Sequence, residues 1–300
     1  MSGRVKVAAL VGPTGVGKSA VAVEVAERMG AEIVSIDSMQ TYRGMDIGTD
    51  KATPAMRERV PHHMLDLFDP THEVTVAEFQ TLARDAVKDI AARGALPLLV
   101  GGSGLYFRAV VDDLSFPPSS ADVRGAYEEK AELLGPEALH AHLSELDPVA
   151  ASKIEPRNAR RTIRALEVIE LTSRPFSENA EVWERYESIF DLSAAGLTRP
   201  REELFARIAD RIDRMFEAGL LEEARALDAG GAGRTARQAL GYRQILDVSE
   251  PDTVQDEIVR ATKRFARRQE SWFRSDPRVK WFDASDPHLV DALVGYFEGG

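Results

Sequence analysis

The chain contains no cysteine. Disulfides and thiolate metal sites are thereby excluded, and any metal must be held by oxygen or imidazole. No apolar run approaches the roughly 18 residues that suggest a membrane span. No signal-peptide layout precedes the strand-like run that begins at Val5. A cytoplasmic protein with no membrane association is the simplest expectation. Positive charge is also in short supply, with 38 Lys and Arg against 49 Asp and Glu and a net charge of -11. Such a balance argues against a protein that coats nucleic acid indiscriminately, and leaves room for a local basic groove.

Basic residues crowd two segments: Arg157, Arg160, Arg161 and Arg164, then Arg260, Lys263, Arg264, Arg267, Arg268 and Arg274. Each cluster reads either as a solvated helix face or as a polyanion contact. With 300 residues, 44% hydrophobic and 29% charged, the chain suits one large α/β core, alone or carrying a smaller module.

Residues 5–11, 31–36 and 96–100 read as short apolar strands, with helical patterns over 18–29 and 76–93 between them. This alternation predicts a parallel sheet with helices on its faces. A Pro/Ser break at 116–120 opens a stretch to about 187 that is helical in pattern. Strand character returns over 189–194, followed by helical patterns over 201–227 and 254–273 and a closing strand at 279–282. Gly230, Gly231 and Gly233 predict a flexible connection between those helices. The expected organisation is a core from residues 1–120 and 188–300, with a helical insertion over 121–187.

Gly12-Pro13-Thr14-Gly15-Val16-Gly17-Lys18-Ser19 matches the phosphate-loop pattern G-x-x-x-x-G-K-[ST] between a predicted strand and a predicted helix. Its backbone amides and the helix N-terminus favour an anion, Lys18 adds a full charge, and the Ser19 hydroxyl can ligate Mg²⁺. Many nucleotide hydrolases and kinases carry an acid after a later strand, but 96–100 runs into Gly101-Gly102-Ser103-Gly104. The acid stands instead after the second strand, as Asp37, where a strand end faces the ligand crevice. Asp37 has three readings: N-cap, Mg²⁺ ligand or general base. His62 and His63 point apart in an extended segment without a spaced third ligand, and read as structural or surface residues. Trp183, Trp272 and Trp281 read as core residues before base-stacking ones.

The phosphate loop, the run Asp37-Ser38-Met39-Gln40-Thr41-Tyr42-Arg43-Gly44-Met45-Asp46-Ile47-Gly48-Thr49, and Gly101 to Tyr106 together resemble the tRNA dimethylallyltransferases. The likeness continues through Arg160 to Glu167, Gln238 to Gln244 and Arg267 to Phe273. It implies a P-loop nucleotide-kinase-like α/β core with a mostly helical inserted domain, the two gripping the tRNA anticodon stem-loop. It also implies transfer of a dimethylallyl group from dimethylallyl diphosphate to N6 of the adenine that follows the anticodon. In that mapping Asp37 is the base near N6, Ser38, Met39 and Gln40 line the adenine, and Ser103 sits near the tRNA. Arg160, Arg161, Thr162, Ile163 and Arg164, with Gln238, Gly241, Tyr242 and Arg243, fall in RNA-contact segments. Ser103 stands where threonine is common, which preserves the hydroxyl. The absence of cysteine agrees with a bacterial type lacking a zinc finger.

The loop residues 12–19 would hold the diphosphate, with Lys18 and Mg²⁺ on Ser19 stabilising the leaving charge and Arg211 completing the clamp. A monomer is expected. Two other classes remain open on these residues: a small-molecule P-loop kinase, which leaves the basic clusters unexplained, and a nucleotide-switched RNA-binding module, which leaves Asp37 without a role. Because the acid after Val100 is missing, ATP turnover without RNA should stay at background in an ADP-release assay. Robust turnover would favour the kinase.

Overall fold

Alternate residues of the first strand, β1 (Lys6–Val11), go to opposite sides of a sheet. Val7, Ala9 and Val11 enter one apolar core, Ala8 and Leu10 the other. Burial on both faces is what a parallel sheet covered by helices demands, and it accounts for the unbroken apolar reading of the strand. The computed structural model describes residues 3–179, 185–247 and 251–299. The sheet continues with β2 (Ala31–Ser35), β3 (His62–His63), β4 (Leu96–Gly101), β5 (Asp191–Thr198) and β6 (Val279–Asp283). Its order is β3-β2-β4-β1-β5-β6, with every neighbouring pair parallel.

This is the α/β architecture expected from the alternation. β3 escapes sequence reading because it is only His62–His63, two polar residues paired with Ile33 and Val34. β5 runs further than the predicted 189–194 because Ala195 and Gly196 continue the pairing with β1, and Leu197 and Thr198 the pairing with β6. The predicted 201–227 helix is two helices, Arg201–Glu217 and Leu220–Ala229, broken where Gly219 takes the left-handed φ of 99°. The Gly230–Gly233 connection is not the flexible segment its glycines suggest. The Gly233 amide donates to Pro70 O at 2.8 Å and the Thr235 amide to Glu73 at 3.1 Å.

The chain divides into two compact units, 1–113 with 188–300, and 114–187. The second is built from helices Ala121–Leu134, Pro136–Leu146, Pro148–Lys153 and Ala159–Thr172 around Tyr127, Leu139, Leu143, Ile163 and Leu166. The extended residues ahead of its first helix belong to it. Arg164 donates to Pro117 O and Pro118 O, and the Ser120 amide donates to Glu167. Glu167 is fully buried and takes further hydrogen bonds from Arg124 and Arg164, so its charge is paired where it cannot reach water. Trp183 lies outside the described residues; Trp272 and Trp281 pack, partly buried, against the core. No helix among the described residues is long and apolar enough to cross a membrane.

One loop of the larger unit is held with unusual density. Glu223 accepts from the backbone amides of Asp46, Ile47 and Gly48 at 2.9–3.1 Å and from the Tyr242 hydroxyl at 2.5 Å. Gly48 has no side chain because the Tyr242 ring occupies that space; a Cβ there would sit 2.5 Å from it. Lys51 is buried beneath the loop, its ammonium on Tyr42 O, Asp46 and Asp66 at 2.6–2.8 Å. Glu223→Ala would leave three amides and a hydroxyl short of their acceptor. It should cost about 2–3 kcal/mol in urea unfolding, with Glu223→Gln losing less. An unchanged midpoint would show that the loop holds itself.

Candidate active site

The crevice lies beyond the carboxyl ends of β1 and β4, where the chain leaves the sheet in opposite directions. From β1 it enters the phosphate loop. Gly12 turns there with φ 142°, its α-carbon so close to β5 that a Cβ would lie 2.7 Å from Leu197 O. Lys18 opens the helix Lys18–Met29 and folds back onto the loop, donating to Gly12 O at 2.9 Å and Pro13 O at 2.8 Å. Ser19 is exposed beside it. Two arginines one turn apart on the Arg201–Glu217 helix face the loop: Arg207 donates to Gly15 O at 3.1 Å, and Arg211 pairs with Asp50 at 3.0 Å. The Arg211 Nε is buried and has no hydrogen-bond partner among the described residues.

Asp37 follows β2. Its Oδ1 accepts from the Met39 amide at 3.0 Å and caps the short helical turn Ser38–Thr41, while its other oxygen accepts no hydrogen bond among the described residues. The cap is therefore real and leaves half of the carboxylate for other work. Lys18, Asp37, Asp50 and Arg211 lie within electrostatic reach of one another. Burial, then the Arg211 charge, pulls Lys18 down to about 8, against the opposing pull of Asp37 and Asp50. Burial pushes Asp37 above the usual carboxylate range, although the Met39 amide and the charges of Lys18 and Arg211 act against the rise.

Sequence reading placed Asp37, Lys18 and Arg211 here and missed Asp50. Asp50 holds a left-handed φ of 53°, which aspartate tolerates better than most residues, and nothing local marks it as facing Arg211. Gln269 was also missed. From the far end of the chain its Oε1 accepts the Thr14 amide at 2.8 Å.

The segments expected to meet RNA divide by burial. Gln40 is turned inward: Ser35 Oγ donates to it at 2.8 Å, and its Nε2 donates to Thr49 O and Asp50 O at 3.1 and 3.4 Å. Ser38 is buried and Met39 half-buried, so in this arrangement the 38–40 turn shapes the crevice wall with Gln40 as its brace. Ser103 stands at the start of the helix Gly104–Val111 and makes no capping bond. In the second unit Arg160 and Arg161 are exposed, whereas Thr162 and Ile163 are buried in its core and Arg164 is tied to Glu167. The side chains of Thr162 and Ile163 thus serve packing, a correction that helical periodicity alone would have suggested. Likewise Gln238 and Arg243 are exposed, while Tyr242 is buried on Glu223 and Gly241 is an internal turn held by Gln244.

On the helix Pro251–Arg274, Arg260, Arg264, Arg267 and Arg268 point outward and pair with no carboxylate among the described residues. Arg274 is instead paired with Glu270 at 2.8 Å and lies over the Trp281 ring. His62 and His63 contact Val60 O and Glu32 respectively, and among the described residues no group of three or more His, Asp or Glu could hold a metal by itself.

A family model described as IPP transferase matches residues 40–276. The chain belongs to the IPP transferase family. It is 54% identical to the tRNA dimethylallyltransferase of Streptomyces coelicolor, over 92% of this chain and 89% of that one. It is 53% identical to that of Kineococcus radiotolerans, over 94% and 93%. Among solved structures, the tRNA isopentenylpyrophosphate transferase of Bacillus halodurans superposes with a TM-score of 0.71 at 40% identity, covering 98% of this chain and 97% of that one. A eukaryotic dimethylallyltransferase acting on tRNA gives 0.79 at 26%, covering 97% and 77%. The core is thus P-loop-like and the chain an enzyme of the prenyltransferase class. The family match begins at residue 40, after the phosphate loop and Asp37, so the role of those residues rests on their geometry.

Asp37 binds its proton more tightly in the folded protein than in the unfolded chain. Stability is therefore lost as pH rises from the unfolded carboxylate value through the raised folded one, and the cost is fully present above it. Asp37→Asn keeps an oxygen for the Met39 amide and cannot ionise. Its melting temperature should exceed the parent's at neutral pH, with the gap closing in acid below the unfolded value. Equal melting temperatures at neutral pH would mean that the carboxylate is not held at a cost.

Proposed function

We propose that this chain transfers the dimethylallyl group of dimethylallyl diphosphate to N6 of the adenine that follows the anticodon in tRNA, releasing diphosphate, in the cytoplasm. The observation that carries the reading is the meeting of Lys18, Arg211 and the half-free Asp37 in one desolvated crevice beside the phosphate loop. A loop of this kind binds a diphosphate, and an acceptor amine next to it needs a base. The names of the relatives support the same reaction.

The adenine must leave its stack for N6 to reach an allylic carbon. As the N6–C1 bond forms and the C1–O bond breaks, the N6 proton passes to the free oxygen of Asp37 and the electron pair leaves with the diphosphate. Burial raises the proton affinity of Asp37, which suits a group that must take a proton from an amine gaining positive charge. Lys18, the loop amides and Arg211 meet the charge accumulating on the leaving group. Lys18 would exchange the Gly12 and Pro13 carbonyls for phosphate oxygens, a better match for its charge than neutral acceptors.

The site fits Mg²⁺, since the Ser19 hydroxyl is open and Asp37 and Asp50 are close, and Mg²⁺ is held through one or two protein oxygens with phosphate and water completing the shell. Bound there, the ion would neutralise diphosphate charge. The anticodon stem-loop would meet the exposed Arg160 and Arg161 of the helical 114–187 unit, and on the larger unit Ser103, Gln238, Arg243 and the outward arginines of the 251–274 helix. In an acidic protein such localised cations give a bounded footprint, phosphate contacts positioning the RNA while the crevice selects the base.

Incubation with dimethylallyl diphosphate, Mg²⁺ and bulk tRNA, followed by mass analysis of digested nucleosides, should reveal a five-carbon increment on adenosine. Its absence would overturn the reading. Asp37→Ala should reduce single-turnover transfer by about 10²–10⁴ with tRNA and diphosphate affinity retained. If Asp37 serves chiefly the metal, the loss should instead appear as weakened diphosphate binding, partly restored by more Mg²⁺. Lys18→Ala should cost about 2–4 kcal/mol of transition-state stabilisation in kcat/KM.

A further inference from the structure

The carboxyl end of the Pro251–Arg274 helix reaches into the crevice at one polar residue. Gln269 is buried, at 8% exposure, on a helix whose outward face carries Arg260, Arg264, Arg267 and Arg268. Its Oε1 accepts the Thr14 amide at 2.8 Å, across 255 residues of chain. Its amide nitrogen fills the space that a side chain at residue 102 would take: a Cβ on Gly102 would lie 2.3 Å from Nε2 and 3.0 Å from Gly12 O. One carboxamide therefore wedges between the phosphate loop and the turn after β4. Pro13, the neighbour of Thr14, has no amide hydrogen to fasten this side of the loop, and the Lys18 ammonium leans on Gly12 O and Pro13 O.

We infer that Gln269 is a positioning residue for the diphosphate: by holding the Thr14 amide it fixes the entrance of the phosphate loop in its binding shape before the donor arrives. The inference rests on the transfer reaction proposed above. Gln269 acts through Thr14 and Gly102, so its removal should loosen the loop without touching the base or the RNA-facing arginines. Prearranged loops bind because the ordering cost is met in folding. Losing that arrangement weakens donor binding uniformly in ground and transition states, which appears in KM.

Gln269→Met keeps the length and apolar bulk of the side chain and removes the acceptor. It should raise the KM for dimethylallyl diphosphate, and the Kd for inorganic diphosphate by calorimetry, by about five- to tenfold, the scale of one lost hydrogen bond. The KM for tRNA and kcat should stay within twofold. Gly102→Ala, which intrudes on the same carboxamide, should produce the same donor-specific shift, and the double variant should be no worse than the more affected single variant, as expected when two changes break one contact. A merely structural glutamine would lower the melting temperature and leave the donor KM and diphosphate Kd unchanged; that result, or an equal rise in both KM values, overturns the inference. A wild-type protein that fails to modify tRNA overturns the transfer reading itself, while active wild type with an unaltered Gln269→Met donor KM overturns only the role of Gln269.

Discussion

The crevice is organised around four charges, of which Asp50 faces water and the other three are largely withdrawn from it. Lys18, Arg211, Asp37 and Asp50 are gathered at the end of the sheet, and burial moves both Lys18 and Asp37 toward their neutral forms. Partly desolvated charges are costly unless their geometry is held, and the surrounding loops are fastened accordingly. Arg211 is aimed by Asp50; Asp50 is placed by a turn whose carbonyls are tied by Gln40; and Gln40 is itself fixed by Ser35 at the end of β2. Such preorganisation suits a reaction in which the protein's task is to meet developing charge with groups already in place.

Behind the 46–51 loop stands a second layer. A carboxylate from the 220–229 helix collects three successive amides, a buried tyrosine covers Gly48, and a buried lysine pairs with two aspartates below. These groups are engaged with the loop and its neighbours. They explain why so long a run after β2 carries such specific residues: Asp46, Gly48 and Lys51 serve the loop, and the loop serves Asp50. A similar division applies to the 160–164 segment, where two arginines face outward while Thr162, Ile163 and Arg164 build the second unit. Cationic segments in an acidic chain thus have mixed duties, and burial sorts them.

Much of the α/β core and part of the crevice followed from local pattern alone. Short unbroken apolar runs marked most of the sheet, because strands covered on both sides admit little else, and the G-x-x-x-x-G-K-S run placed an anion site at a helix start. Asp37 could be assigned to the crevice because a strand end in such a sheet faces it. What local pattern could not determine was partnership over distance. The Asp50–Arg211 pair spans 161 residues, the Glu223 contacts 175 to 177, and the Gln269–Thr14 hydrogen bond 255. Aspartate, glutamate and glutamine are common on solvated surfaces, so composition gives these no distinguishing mark. Only closure of the chain, bringing the C-terminal helices over the ends of β1 and β4, decides which polar residues lose water and must find each other.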